Sequence, residues 1–152
     1  MSEDVLRLTR VVDASPAEVW GCLTRPDCFK SWWREHLEFE ARQGGRFVEP
    51  WVDPTGRNRV TRAQVTAFHP PRGLVMVWAD DDWSFDTVVS ISIVPTAEGG
   101  SEVEVEHQGW HAAPVTMRGL LMDDHSQGWN QRLADLAEHA EAHIGKDKGK
   151  AH

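Results

Sequence analysis

The sequence predicts an α+β fold of the helix-grip type: a curved antiparallel sheet of about six or seven strands closed around one long C-terminal helix. Three observations predict it. Residues 85–107 hold two runs in which apolar and polar side chains alternate, the mark of half-buried strands. Residues 122–140 change to a period of three to four, the mark of an amphipathic helix. Two brief helical stretches separate the first strand from the rest of the sheet. A twisted sheet with one apolar face and a single long helix bury both surfaces by curling the sheet around the helix.

The elements follow in order. Val5, Leu6, Leu8, Val11 and Val12 predict a first strand over residues 5–12. Ser15-Pro16-Ala17-Glu18 has the chemistry of a helix start: a hydroxyl to accept a free N–H, a proline whose missing donor costs nothing there, and a glutamate completing a capping box. Ala17, Trp20 and Leu23 recur at helical spacing, and Pro26 ends the run. Residues 27–33 predict a second short helix closing on Trp32-Trp33. Gly44-Gly45 opens a strand over 46–52, Asp53-Pro54-Thr55-Gly56 supplies a turn, and 60–68 returns. After the break at His69-Pro70-Pro71-Arg72-Gly73, residues 74–78 form the next strand, and Asp80-Asp81-Asp82 is placed in a solvated turn. Phe85, Thr87, Val89, Ile91 and Ile93 alternate, and Glu98-Gly99-Gly100-Ser101 turns the chain into Val103, Val105 and His107. Met122, His125, Trp129, Leu133, Leu136 and Ala140 then mark one helix face from Val115 onward. Gly145 is read as its C-cap, with one domain over 1–145 and a disordered tail over 146–152.

Composition narrows the function classes. A chain of 152 residues suits one domain whose core needs no disulfide or metal staple. Lys plus Arg number 16 against 24 Asp plus Glu, and the resulting −8 argues against a general nucleic-acid binder and against docking on anionic lipid. The longest apolar run, Leu74 to Ala79, is too short for membrane insertion. The charged N-terminus lacks a signal-peptide core, so a cytoplasmic location is expected. Cys22 and Cys28 lie on neighbouring helical turns, a poor geometry for a disulfide, and are read as free thiols. Eight Trp with five Phe and no Tyr supply large flat apolar area, of use in a core or a ligand pocket.

Four segments carry a family resemblance. They are Ala14-Ser15-Pro16-Ala17-Glu18-Val19-Trp20 with Trp32-Trp33; Gly44-Gly45-Arg46-Phe47; Phe68-His69-Pro70-Pro71-Arg72-Gly73-Leu74-Val75 ending in Trp78; and Val103-Glu104-Val105-Glu106-His107-Gln108-Gly109-Trp110 with His125 and Gly128-Trp129. In this order, over roughly residues 5–143, they resemble the SRPBCC (START/Bet v-like) superfamily, and within it the relatives of the Hsp90 ATPase activator. The resemblance implies a helix-grip fold whose members bind lipids, hormones, polyketides or partner proteins, some cyclising polyketides. It brings no shared catalytic residue set.

The residues give a matching expectation: a small-molecule binder for an apolar or aromatic ligand held between sheet and C-terminal helix. The candidate walls are Trp33, Phe47, Trp51, Trp78, Phe85, Trp110, Met122 and Trp129, with His107, His125 and Glu49 as polar groups. His125 stands one turn from Trp129, either lining the cavity or bonded to a sheet group. His107 shares the inward face of Val103 and Val105, where a satisfied buried imidazole is the plainer reading. Glu49 shares the face of Phe47 and Trp51. If that face is inward it is a buried carboxylate with a raised pKa; a watery position on the hairpin rim is the simpler alternative. His107 and His111 do not make a metal site, because strand-to-loop spacing separates them and no third ligand is near. No nucleophile elbow, P-loop or dinucleotide glycine signature is present, so neither catalytic residues nor a cofactor are expected. The alternatives are a protein-interaction module that modulates a chaperone ATPase or pairs as a homodimer, and a cyclase-like enzyme using the same cavity.

Overall fold

Seven strands form one antiparallel sheet in a computed structural model that describes residues 4–33 and 37–150, the last eight of these by backbone alone. They are β1 (Leu6–Val12), β2 (Glu38–Phe39), β3 (Arg46–Val52), β4 (Asn58–His69), β5 (Gly73–Asp80), β6 (Thr87–Pro95) and β7 (Ser101–Gln108), in the spatial order β1-β7-β6-β5-β4-β3-β2. Successive hairpins build the run from β3 to β7, and the first strand closes it by pairing with the last: Leu8 stands opposite Val105 and Arg10 opposite Val103. Alternation decides the faces. Ser101, Val103, Val105 and His107 are buried on the concave side, while Glu102, Glu104 and Glu106 point outward. There Arg7 of β1 reaches Glu104 at 3.3 Å and Glu106 at 3.0 Å.

Helices α1 (Pro16–Thr24) and α2 (Pro26–Trp32) follow β1. The cap forms as its sequence predicts: the Ser15 hydroxyl accepts the Glu18 N–H at 3.3 Å and donates to the Glu18 carboxylate at 2.8 Å. The buried face of α1 is Val19, Cys22 and Leu23, whereas Ala17 is exposed and Trp20 is half-buried against Phe68. Cys22 and Cys28 are free thiols, and burial pushes that of Cys22 up to about 11. Among the described residues no helix is long and apolar enough to cross a membrane.

Most element boundaries shift by a residue or two and the short strand β2 is not among the expected elements; three further differences have a clear physical cause. β6 begins at Thr87, because Phe85 stacks on Trp83 in the preceding turn, with ring centroids 4.7 Å apart, instead of joining the ladder. Asp80 is the final residue of β5 and half-buried, since the pairing of Thr61 with Asp80 extends the β4–β5 ladder past Trp78. The last helix, α3 (Val115–Lys150), continues through Gly145, where a cap was expected. A helical glycine costs only ~1 kcal/mol, and the lysines that follow are good helix formers.

The concave face meets α3 in two zones. Leu133, Leu136, Ala137 and Ala140 of α3 are buried with Leu23 of α1 and the inward aliphatics of β6 and β7. Nearer its N-terminus the same helix faces β3, β4 and β5 across a gap.

Candidate functional site

Cross-strand register lays two rows of side chains across the gap. Phe47, Ala63 and Trp78 are paired neighbours on β3, β4 and β5, and one pleat further along come Glu49, Thr61 and Asp80. The first row is apolar and buried. The second is polar, yet it shares the concave face because strand side chains repeat every two residues. Opposite them, α3 presents Leu121, Asp124, His125, Trp129 and Arg132, which share a helix face by three- and four-residue spacing. The space between is an open cleft of about 650 Å³. Trp33, Trp51, Trp78, Trp83 and Trp129 supply its aromatic walls.

Hydrogen bonds tie the polar row to those walls. The Trp33 N–H donates to Glu49 at 3.0 Å. The Trp51 N–H donates to the Thr61 hydroxyl at 2.9 Å, which donates in turn to Asp80 at 2.6 Å. Burial pushes the Asp80 carboxyl above the usual carboxylate range, and the Thr61 hydrogen bond opposes that only in part. At the mouth, Arg59 lies over the Trp51 ring at 5.4 Å and pairs with Asp53, Asp81 and Asp82. Contact with Arg59 holds Asp81 below its ordinary value.

The two histidines have different tasks. His107 is fully buried and does not line the cleft. Its Nδ1 accepts the Trp129 N–H at 3.0 Å, and its Nε2 lies 2.7 Å from the Thr87 hydroxyl, which donates to the Trp78 carbonyl at 2.8 Å. An acceptor Nδ1 and a hydroxyl whose proton is already used require the proton on Nε2. His107 is therefore a neutral, saturated link that fixes the Trp129 ring, and burial pushes its pKa down to about 2. His125 lines the cleft. Its Nδ1–H donates to the Leu121 carbonyl at 2.9 Å, which leaves Nε2 as an acceptor, and burial holds its pKa below the usual imidazole value. Among the described residues, Nε2 makes no hydrogen bond.

Of the residues singled out from sequence, Trp33, Glu49, Trp51, Trp78, His125 and Trp129 line the cleft together. Five do not. Phe47 and Trp110 are fully buried in the wall behind it, Phe47 against Trp78 at 5.0 Å and Trp110 with its N–H on the His107 carbonyl at 3.0 Å. His107 sits behind Trp129. Phe85 is held outside by its stack on Trp83, and Met122 lies one residue, about 100°, round the helix from Leu121. Glu49 is 8% exposed, so the watery rim position is corrected: the β3 pleat turns it inward with Phe47. Sequence reasoning missed Thr61, Asp80, Arg59, Trp83, Asp124 and Arg132. A signal existed for one of them, since Asp80 is two residues beyond Trp78 and shares its strand face. Among the described residues no three metal-ligating side chains come together.

This arrangement can offer a flat ring indole surface on more than one wall, with carboxylates and one imidazole acceptor among them. Residues 13–141 match the family described as activator of Hsp90 ATPase homolog 1-like protein. Solved structures share the fold. A Nitrosomonas europaea protein superposes with a TM-score of 0.75 at 18% identity, covering 95% of this chain and 99% of that one. A Mesorhizobium loti protein gives 0.70 at 22% identity, covering 91% and 97%. The Aha1 dimer from Colwellia psychrerythraea gives 0.71 at 20% identity, covering 90% and 96%. No curated protein sequence matches the chain.

Proposed function

The chain belongs to the family of activator of Hsp90 ATPase homolog 1-like proteins, and from that premise we propose that it binds a flat aromatic small molecule in the cleft between β3–β5 and the first half of α3. The observation that carries this reading is the cleft itself: about 650 Å³ walled by five tryptophans, a volume and lining suited to a drug-sized ring system. Gly128 adds support. It lines the cleft, and a Cβ placed on it meets nothing within 4 Å, so the space extends up to the helix backbone. The direct test is titration with 1-naphthylmethanol, read as tryptophan emission. Saturable quenching is expected, and Gly128→Phe, which projects a ring into the cleft, abolishes it. Emission that changes linearly or not at all in the unmodified protein, with this alcohol and with its amine and carboxylate analogues alike, sinks the reading.

A second reading has its own observation. Val115 and Leu120, at the start of α3, are 80% and 67% exposed, and Met117 is 40% exposed. A similar structure is described as a dimer. On this reading the start of α3 packs against a second copy. Sedimentation equilibrium that returns a monomer at all concentrations removes it.

A further inference from the structure

We infer that the ligand of this cleft is a cation, a flat aromatic body bearing a protonated amine. The inference rests on the aromatic-ligand reading and adds the ligand's charge. Among the described residues, five carboxylates line the cleft against two guanidiniums. Both guanidiniums are already engaged: Arg59 holds Asp53, Asp81 and Asp82, and Arg132 holds Asp135 at 3.3 Å. Asp80 and Asp124, on opposite walls, form no ion pair among the described residues.

Asp80 matters most. It ends the chain from Trp51 through Thr61, so its hydrogen bond comes from a neutral hydroxyl, and among the described residues no cation forms an ion pair with it. A half-buried carboxylate in that position is electrostatically incomplete, and a cation entering beside it stabilises the ionised form. The groups that face it supply one only in part. Arg59 and His125 act on it through space, but burial outweighs them. Burial also holds His125 below the usual imidazole value, Arg59 pairs directly with three other carboxylates, and Asp82 adds negative charge. An anionic ligand meets repulsion from the same groups.

The rings give the independent observation. Within this cleft the protein already seats its own cations on indoles, Arg59 over Trp51 and Arg132 over Trp33, each at 5.4 Å. Trp83 and Trp129 line the same space and carry no such cation among the described residues. Indole faces beside carboxylates are the combination that recognises ammonium groups.

Three probes sharing one ring test the charge: 1-naphthylmethylamine, 1-naphthylmethanol and 1-naphthoate, titrated at neutral pH against the full chain. The amine is expected to bind about tenfold tighter than the alcohol, as an ammonium desolvated against an indole face and a carboxylate would. The naphthoate is expected to bind most weakly. Added salt lowers the amine-to-alcohol ratio, and Asp80→Asn brings it close to one. An amine that binds no tighter than the alcohol, or a naphthoate that binds tightest, overturns the inference while leaving the aromatic-ligand reading intact. Failure of all three probes to bind removes that underlying reading instead. An undiminished ratio in Asp80→Asn overturns the role of Asp80. The wild-type comparison decides the ligand's charge even if that variant does not fold.

Discussion

At one end of the groove, Leu133 and Leu136 of α3 meet Ile91, Val103 and Val105, and the space left over is about 10 Å³. At the other end the same helix and the same sheet stand apart around about 650 Å³. Trp33, Trp129 and Arg132 border both spaces, and Trp33 meets Trp129 edge to face at 5.8 Å, so this pair forms the partition. The difference lies in the side chains. Branched aliphatics have no polar atoms to keep wet and interdigitate to native density. Carboxylates lose solvation if the walls collapse onto them, and indoles tied by N–H bonds to Glu49, Thr61 and His107 cannot slide in to fill the gap. One continuous groove thus has a half that is packed shut and a half that stands open.

The largest test of that division is Leu136→Ala, at a site 1% exposed in the filled half. It is expected to cost ~2–5 kcal/mol in denaturant unfolding, as buried leucine truncations do. Leu121→Ala, in the open half, should cost less than ~1 kcal/mol because water already reaches the space it leaves. Equal costs would mean that the two halves are packed alike.

The partition has its own pH signature. His107 holds a folded pKa near 2, well below the ordinary imidazole value, so its stabilising contribution is complete above the unfolded pKa. As pH falls below ~6.5 the unfolded chain takes up a proton that the folded chain refuses, and about 2 kcal/mol is lost by pH 5. His125, also lowered, acts in the same direction. His107→Gln should flatten stability between pH 6 and 4 by about one proton. A variant with the wild-type slope would show that His107 is not held neutral.

Gly128→Ala sharpens the comparison with the opposite sign. Its Cβ meets open space, so the variant should gain ~0.5–1 kcal/mol from the lost helical glycine. A measured loss of stability would mean that this part of the cleft is filled. The smallest effect concerns the chain end. Removal of residues 146–152 is expected to leave the thermal midpoint within about a degree, since Lys146-Asp147-Lys148-Gly149-Lys150 offers no apolar face to bury. A drop of several degrees would extend the domain beyond Gly145.

What the sequence by itself determined is periodic or capped. The alternation around Val89, Ile91 and Ile93, the Ser15 cap with Pro16, and the spacing of Trp129, Leu133, Leu136 and Ala140 each encode a local geometry with one solution, and together they specify sheet, short helices and long helix. What only the tertiary structure decided is which residues of one face meet across the gap. Glu49 and Phe47 share an alternation face, yet one lines the cleft and the other sits behind Trp78, because register against β4 and β5 sets depth along a strand. His107 and His125 both look like cavity residues along the chain. Their rings meet edge to face at 5.2 Å, yet their surroundings differ: the Trp129 N–H saturates His107 on the buried side, while His125 reaches the open side. Asp80 reads as a solvated turn until the Thr61 pairing carries β5 two residues further and places its carboxylate in the wall. Periodicity reports which side a residue faces. Only the packing of helix on sheet reports what stands there to meet it.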